Sequence, residues 1–295
     1  MRKIFHSIWR IISAPFRLIL WVVKSISKWI KTTFKNMQAL FVDEPEDAPL
    51  PDAFAKAVEN PMGLLEHINA LRKHIFRSVL FMVITTAISF VYIRQILGWL
   101  TKPIGGIEAL QAIEVTESLG VVMRVALLAG FSIALPYLIL ELWFFAAPGL
   151  KRKARVQGLI AIPVATILFV LGMAFAYYVM MPTALPFLLN FMGIKTAVRP
   201  ASYIKFTTGL LFWIGVAFEF PLVIFALASM GLIQAKMLLN QWRVAIVIIA
   251  IISAVITPTI DPVNMALVMG PMILLYFVSI GLAFIAQGKR QQEGT

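Results

Sequence analysis

Glu219 sits deep inside an apolar stretch, in Phe218-Glu219-Phe220-Pro221, and is the one acid at such depth. A carboxylate there costs about 2.5–3.5 kcal/mol on insertion scales, so it must face a helix bundle or a wet cavity. Two readings stay open: a working acid, or a neutral carboxyl hydrogen-bonded between helices. Pro221 frees the carbonyl of Ala217 and bends the helix close to the acid. The only histidines are His6, His67 and His74. The last two, seven apart at a membrane boundary, read as solvated side chains rather than metal ligands. Zero cysteines exclude disulfides, thiolate metal sites and a cysteine nucleophile. A hydrolase needs a nucleophile with a base or metal ligands in reach, and no HExxH, G-x-S-x-G or P-loop pattern occurs. Enzymatic chemistry, a cofactor and a metal are therefore not expected.

The elements that must position Glu219 are membrane spans. Of the 295 residues, 60% are apolar and 14% charged, against about 45–50% and about 25% in soluble domains. A span takes about 20 residues. Ser78–Ile93 is uncharged and can extend to Leu100; Leu119–Leu140 carries only Arg124; Val156–Met181 is uncharged. Tyr203–Leu232 holds Lys205 near its start and Glu219 mid-way, and Val244–Ile260 and Pro262–Gly288 are uncharged around a lone Asp261. These make six expected spans, the last two short because Thr257-Pro258 and Pro262 cut their joint. No internal repeat of the inverted-transporter kind is present.

The net charge of +12 invites a nucleic-acid reading, but the basic residues fall between apolar runs. Eleven lie on one side of the membrane (Arg72, Lys73, Arg77, Lys151, Arg152, Lys153, Arg155, Lys236, Arg243, Lys289, Arg290) and five on the other (Arg94, Lys102, Lys195, Arg199, Lys205). The richer side is expected to be cytoplasmic, with both termini there.

Residues 1–40 read as a basic amphipathic helix lying in the membrane interface. Lys3, Arg10, Arg17, Lys24 and Lys31 recur every seven residues, while Trp9, Trp21 and Trp29 and several isoleucines cover other faces. That pattern suits anionic lipid bound through residues 1–36, the alternative being a solvated basic tail. Its longest apolar run, Leu18 to Val23, is too short for a cleavable signal peptide. Residues 41–61 form an acidic, Pro-rich linker around Asp43–Asp52, 62–288 the membrane domain, and 289–295 a cytoplasmic tail.

Two further stretches stand out. Trp143-Phe144-Phe145-Ala146-Ala147-Pro148-Gly149-Leu150 leads into Lys151-Arg152-Lys153-Ala154-Arg155, and Thr257-Pro258-Thr259-Ile260-Asp261-Pro262 makes a double-proline turn. Each is ordinary alone. Their order is not, together with the opening Leu65-Glu66-His67-Ile68-Asn69-Ala70-Leu71-Arg72-Lys73, Pro103, Leu135-Pro136-Tyr137, Phe175-Ala176-Tyr177 with Pro182, Ala201-Ser202-Tyr203, Gly215–Pro221 and Pro271. Over about residues 62–286 the chain resembles the TatC family, the six-span subunit of the twin-arginine protein translocase.

The resemblance implies an all-α membrane protein with six transmembrane helices in a concave, glove-like bundle. It implies single-span Tat partner subunits, twin-arginine signal peptides as ligands, a homo- or hetero-oligomer in the cytoplasmic (inner) membrane, and no nucleic acid. The signal-peptide and partner site would comprise Glu66, Ala70, Arg72, Glu141, Phe145, Pro148, Lys151 and Ala154. Glu219, Asp261 and Thr257 are the intramembrane polar residues, and Pro103 and Pro258 the structural turns. The chain departs from the family at the two glutamates associated with the arginine pair, matched by Ala70 and Ala154, and at the glutamate after Leu-Tyr in span six, where Phe277 follows Tyr276. Two guanidinium groups want carboxylates for bidentate bonds. Glu66, one turn before Ala70 on the same face, and Glu141 at the end of the second span could supply displaced acids. The alternatives are a divergent relative with another partner, and a small transporter or channel; the latter should show several intramembrane ionisable groups.

Overall fold

A computed structural model of the chain describes residues 61–149, 152–189, 197–257 and 262–293. The expected interfacial helix, nearly all of the linker, Lys151, Pro258 and Asp261 lie outside the described residues. Among those described, nine α-helices are linked by short turns, and the only extended pairing is the bridge between Leu110 and Val198. They are α1 Pro61–Val91, α2 Ile93–Thr101, α3 Glu117–Ala146, α4 Arg152–Phe175, α5 Met181–Leu189, α6 Pro200–Ser229, α7 Ala235–Asn240, α8 Trp242–Ile256 and α9 Pro262–Glu293. The chain divides into two compact units, described separately: Met62–Phe145 with Val156–Thr295, and a second whose described residues are 61, 146–149 and 152–155.

Among the described residues, five helices are long and apolar enough to cross a membrane, those containing His67–Val91, Glu117–Ala146, Arg155–Leu189, Pro200–Ser229 and Pro262–Gly288. The sixth expected span is α8, with 15 residues. At 1.5 Å per residue it reaches about 22 Å, less than the roughly 30 Å of hydrocarbon in a typical bilayer. The sequence made both of the last two spans short, but only α8 is; α9 has 32 residues and continues through 289–293. Pro262 does not shorten α9 because it begins it, where its missing N–H is no loss.

The first span also differs from expectation. The helix stops at Tyr92 (φ −99°, ψ 11°) instead of running on to Leu100, and Ile93–Thr101 forms the separate α2. Arg94 and Gln95, both exposed, follow the break in the first turn of α2. The third span is longer than expected, because a π-helical turn over Ala176–Met180 joins α4 to α5.

Close approach of backbones holds the helices together, as expected where lipid gives no hydrophobic drive between them. A Cβ on Gly130 of α3 would lie 2.6 Å from the Cα of Thr86 on α1. Beside that contact the Thr85 hydroxyl donates to the Gly130 carbonyl at 2.8 Å. At the crossing of α4 and α6, a Cβ on Gly172 would meet the Gly215 Cα at 2.9 Å. The main apolar core gathers Leu100, Val125, Tyr177, Met180, Ile204, Leu211 and Ile214 near one end of the long helices. Two tyrosines tie α2 into it: Tyr177 donates to the Trp99 carbonyl at 2.7 Å, and Tyr203 to the Leu100 carbonyl at 2.6 Å. Large exposed apolar side chains such as Phe76, Val91, Ile251 and Val255 face outward, as lipid requires.

Candidate functional site

The two ends of the long helices carry different chemistry. One end holds the start of α1 and the finish of α3, and is called the His74 end. The other holds α2, Lys102 and the start of α6, and is called the Lys102 end.

At the His74 end, His74 of α1 and Glu141 of α3 meet, Nδ1 to Oε2, at 2.5 Å. Tyr137, one turn before Glu141, donates its hydroxyl to the other carboxyl oxygen. Both oxygens of Glu141 are thus engaged, and the residue is 1% exposed. Phe145, one more turn along, packs at a tilt on His67 with ring centroids 4.5 Å apart and presents an edge to His74 at 6.2 Å. Phe81 lies 4.2 Å from Tyr137, centroid to centroid. Residues 67, 74 and 81 of α1 repeat every two turns and so share the stripe that faces α3. The histidines expected to be solvated belong to this contact. His74 is largely covered, while His67 keeps an exposed side chain against Phe145. The heptad spacing was visible in the sequence, but nothing local named Glu141 as the partner.

Glu66 and Ala70 lie one turn apart on α1, and Arg72 is exposed on the same helix. Pro148 and Ala154 fall in the second compact unit, Ala154 on α4, and there the Arg155 guanidinium donates to the Pro148 carbonyl at 3.4 Å.

Glu219 lies on α6 one turn past Gly215, half-buried against the backbone of Phe169 on α4. Its Oε1 is buried with no hydrogen-bond partner among the described residues. Thr257, by contrast, is buried and donates to the Ser253 carbonyl at 2.9 Å, closing the last turn of α8.

At the Lys102 end, Arg199 joins the segment before α6 to the start of α3. Its Nε donates to Glu117 Oε1 at 2.9 Å and its Nη2 to Glu114 Oε1 at 3.1 Å. Hydrogen bonds to Glu117, then to Glu114, push the guanidinium above its ordinary pKa, so the cation persists at any working pH. In the sequence Arg199 stands only as a loop charge, and nothing near it marks this clamp. Pro103 is exposed in the turn after α2 and lines a groove of about 550 Å³ with Lys102, Tyr177, Tyr178 and Pro182.

Residues 66–271 match the family described as "Sec-independent protein translocase protein (TatC)". A protein of that name from Carboxydothermus hydrogenoformans is 35% identical, the match covering 76% of this chain and 94% of the relative. The chain belongs to the TatC family. A second TatC, from Deinococcus radiodurans, is 34% identical over 81% of this chain and 91% of its own. The fold agrees too: a crystal structure titled "Twin Arginine Translocase Receptor- TatC" is 29% identical with a TM-score of 0.66, covering 75% of this chain and 99% of that one. This TatC-family chain is accordingly a multi-pass, all-α membrane protein. Every site residue expected from the sequence lies within the matched range, and the basic N-terminal segment lies outside it.

Proposed function

We propose that this TatC-family chain is the core subunit of a twin-arginine-type translocase in the cytoplasmic (inner) membrane, with both termini inside. In this role it binds the signal peptides of folded export substrates and scaffolds the single-span partner subunits, without enzymatic chemistry. The observation that carries the reading is the fold match to the translocase receptor over 99% of its length. The basic asymmetry of eleven against five supports the His74 end as cytoplasmic.

The His74 end refines the assignment of roles. With both carboxyl oxygens of Glu141 already bonded, that residue orients α1 against α3 and leaves the capture of arginine to others. Glu66, one turn from Ala70, is then the acid that meets the signal's guanidinium groups by charge-assisted bonds. Arg72 and Phe145 of the larger unit take part in the same role, and the family resemblance adds Pro148, Lys151 and Ala154 to it. Glu219, with an unpartnered oxygen, serves a partner helix or substrate within the membrane. Asp261 and Thr257 are the other intramembrane polar residues of the reading, and Pro103 and Pro258 its structural turns.

Photo-crosslinking tests the reading directly. Probes at positions 66, 70, 145 and 154 of the full chain should capture a twin-arginine precursor, and lose it when the arginine pair is replaced by lysines. Background capture at all four positions would overturn the signal-peptide role.

A further inference from the structure

A groove in the membrane part of the larger unit is not accounted for by this function. Its volume is about 590 Å³, and its walls come from α1, α3, α6 and α8. Met82, Phe131, Phe212 and Trp213 supply much of its apolar lining, and Arg124 and Lys205 also border it. None of its lining residues is acidic. Both cations are exposed and have no hydrogen-bond or ion-pair partner among the described residues.

The depth of the cations decides what they face. The helices α3 and α6 have 30 residues each, so they are about 45 Å long. That length matches a bilayer with its headgroup layers, leaving about 7 Å at each end outside a roughly 30 Å hydrocarbon core. Arg124 lies seven residues into α3 and Lys205 five residues into α6, about 10 Å and about 7 Å from the Lys102 end. Both cations therefore stand at the boundary where lipid phosphates meet acyl chains. Long basic side chains there extend toward the headgroup layer. Below them the groove continues between apolar walls.

We infer that this groove holds one anionic phospholipid of the leaflet at the Lys102 end, its phosphate between Arg124 and Lys205 and an acyl chain along Phe131, Phe212 and Trp213. Two unneutralised cations favour a lipid with net negative charge over a zwitterionic one, whose own ammonium group they would repel. They equally disfavour an uncharged partner helix, which would leave both without a counter-charge.

The test uses the full chain in phosphatidylcholine nanodiscs doped with a phospholipid carrying a diazirine on its acyl chain, either phosphatidylglycerol or phosphatidylcholine. Peptide mapping separates labelling of the groove from labelling of residues 1–36. Peptides containing Lys205–Trp213 should be labelled several-fold more by the glycerol probe than by the choline probe. Arg124→Gln with Lys205→Gln should erase that preference, and Arg124→Lys with Lys205→Arg should keep it. Gly209→Trp places a bulky side chain in the groove where the structure leaves open space, and should lower labelling with both cations intact. Equal labelling of the wild-type groove by the two probes overturns the inference, whether or not any variant folds. So does an unchanged preference in the double Gln variant. Capture of a protein rather than lipid by a photo-reactive residue at position 213 in native membranes would assign the groove to a partner helix and overturn it as well.

Discussion

His74 and Glu141 stand 67 positions apart in the chain and meet at 2.5 Å, joining the His74 ends of α1 and α3. The pair explains how an acid can be 1% exposed beside a membrane boundary. Removing one member of such a pair leaves the other buried without compensation, which costs about 3–5 kcal/mol, while replacing both with apolar residues is often neutral. His74→Leu should therefore lower the unfolding temperature in detergent sharply. The double variant His74→Leu with Glu141→Leu should recover much of the loss. A double variant less stable than the single would show that the two side chains act independently.

Glycine packing gives a second, sharper contrast. An added Cβ at Gly172 would stand 2.8 Å from the Ile214 carbonyl oxygen and 2.9 Å from the Gly215 Cα, both backbone atoms. Neither can rotate away, so Gly172→Ala must push α4 and α6 apart, at about 1–3 kcal/mol for an overpacked contact. At Gly281 the same change meets nothing within 4 Å and adds helix propensity. Thermal unfolding should rank Gly172→Ala well below wild type and Gly281→Ala at or above it. Equal behaviour would mean that the α4–α6 crossing is looser than these distances require.

At the Lys102 end, the side chain of Glu117 is 2% exposed, and its Oε2 already lacks a hydrogen-bond partner. Arg199→Gln removes the cation and leaves that carboxylate with weaker donors. Because the Arg199 pKa is raised by its glutamate bonds, whatever stability the shift contributes is fully present below the ordinary guanidinium pKa. It is lost only at extreme alkalinity. Wild type should hence show no loss of this clamp between about pH 6 and 9, whereas Arg199→Gln should release the segment before α6 across that whole range. Protease sensitivity around residues 197–200 reads the difference. Identical digestion rates would leave the clamp without a structural role.

Much of this architecture was legible because membrane spans announce themselves by length and apolarity. Five of the six expected spans are long apolar helices, and the sixth is the 15-residue α8. Errors arose at helix ends, where hydropathy is silent about geometry. Neither the stop at Tyr92 nor the π-helical turn at Ala176–Met180 has a hydropathic signature. The candidate site divided in the same way. Glu219 was conspicuous because a deep acid is costly. The pairing of His74 with Glu141 and the clamp from Arg199 to Glu117 are long-range facts, fixed by how helices register against each other. No periodicity within one segment encodes that register.

Topology is tested by a reporter active only outside the cytoplasmic membrane. Fused after Gln287, it should stay silent, and fused within residues 101–118 it should be active, if the His74 end is inside as proposed from the eleven-to-five basic bias. Activity at Gln287 would contradict six crossings, and the 15-residue α8 would be the helix to suspect. A peptide of residues 1–36 should gain helix on anionic vesicles and release with added salt, at about 1 kcal/mol per basic residue near the surface. Equal binding to neutral vesicles at every salt concentration would make its basic stripe incidental.

Glu219 decides whether the interior of the bundle does more than pack. Its Oε1 has no partner among the described residues, and its contact with α4 is to the Phe169 backbone. A carboxyl whose only task was to bridge helices would be expected to use both oxygens, since an interhelical hydrogen bond in a membrane is worth about 0.6 kcal/mol on average. The proposed role, a docking point for substrate or a single-span partner, requires that this buried oxygen become reachable when the partner binds. Glu219→Gln keeps the size and the acceptor but removes the charge, so insertion and expression should be normal while transport of twin-arginine precursors falls. Glu219→Leu should be worse, because an apolar side chain offers a docked donor nothing. On a purely structural account the order changes: Gln would be silent in transport, and Leu would lower thermal stability without changing precursor binding. Full transport by Glu219→Gln at normal protein levels would leave Glu219 a packing residue.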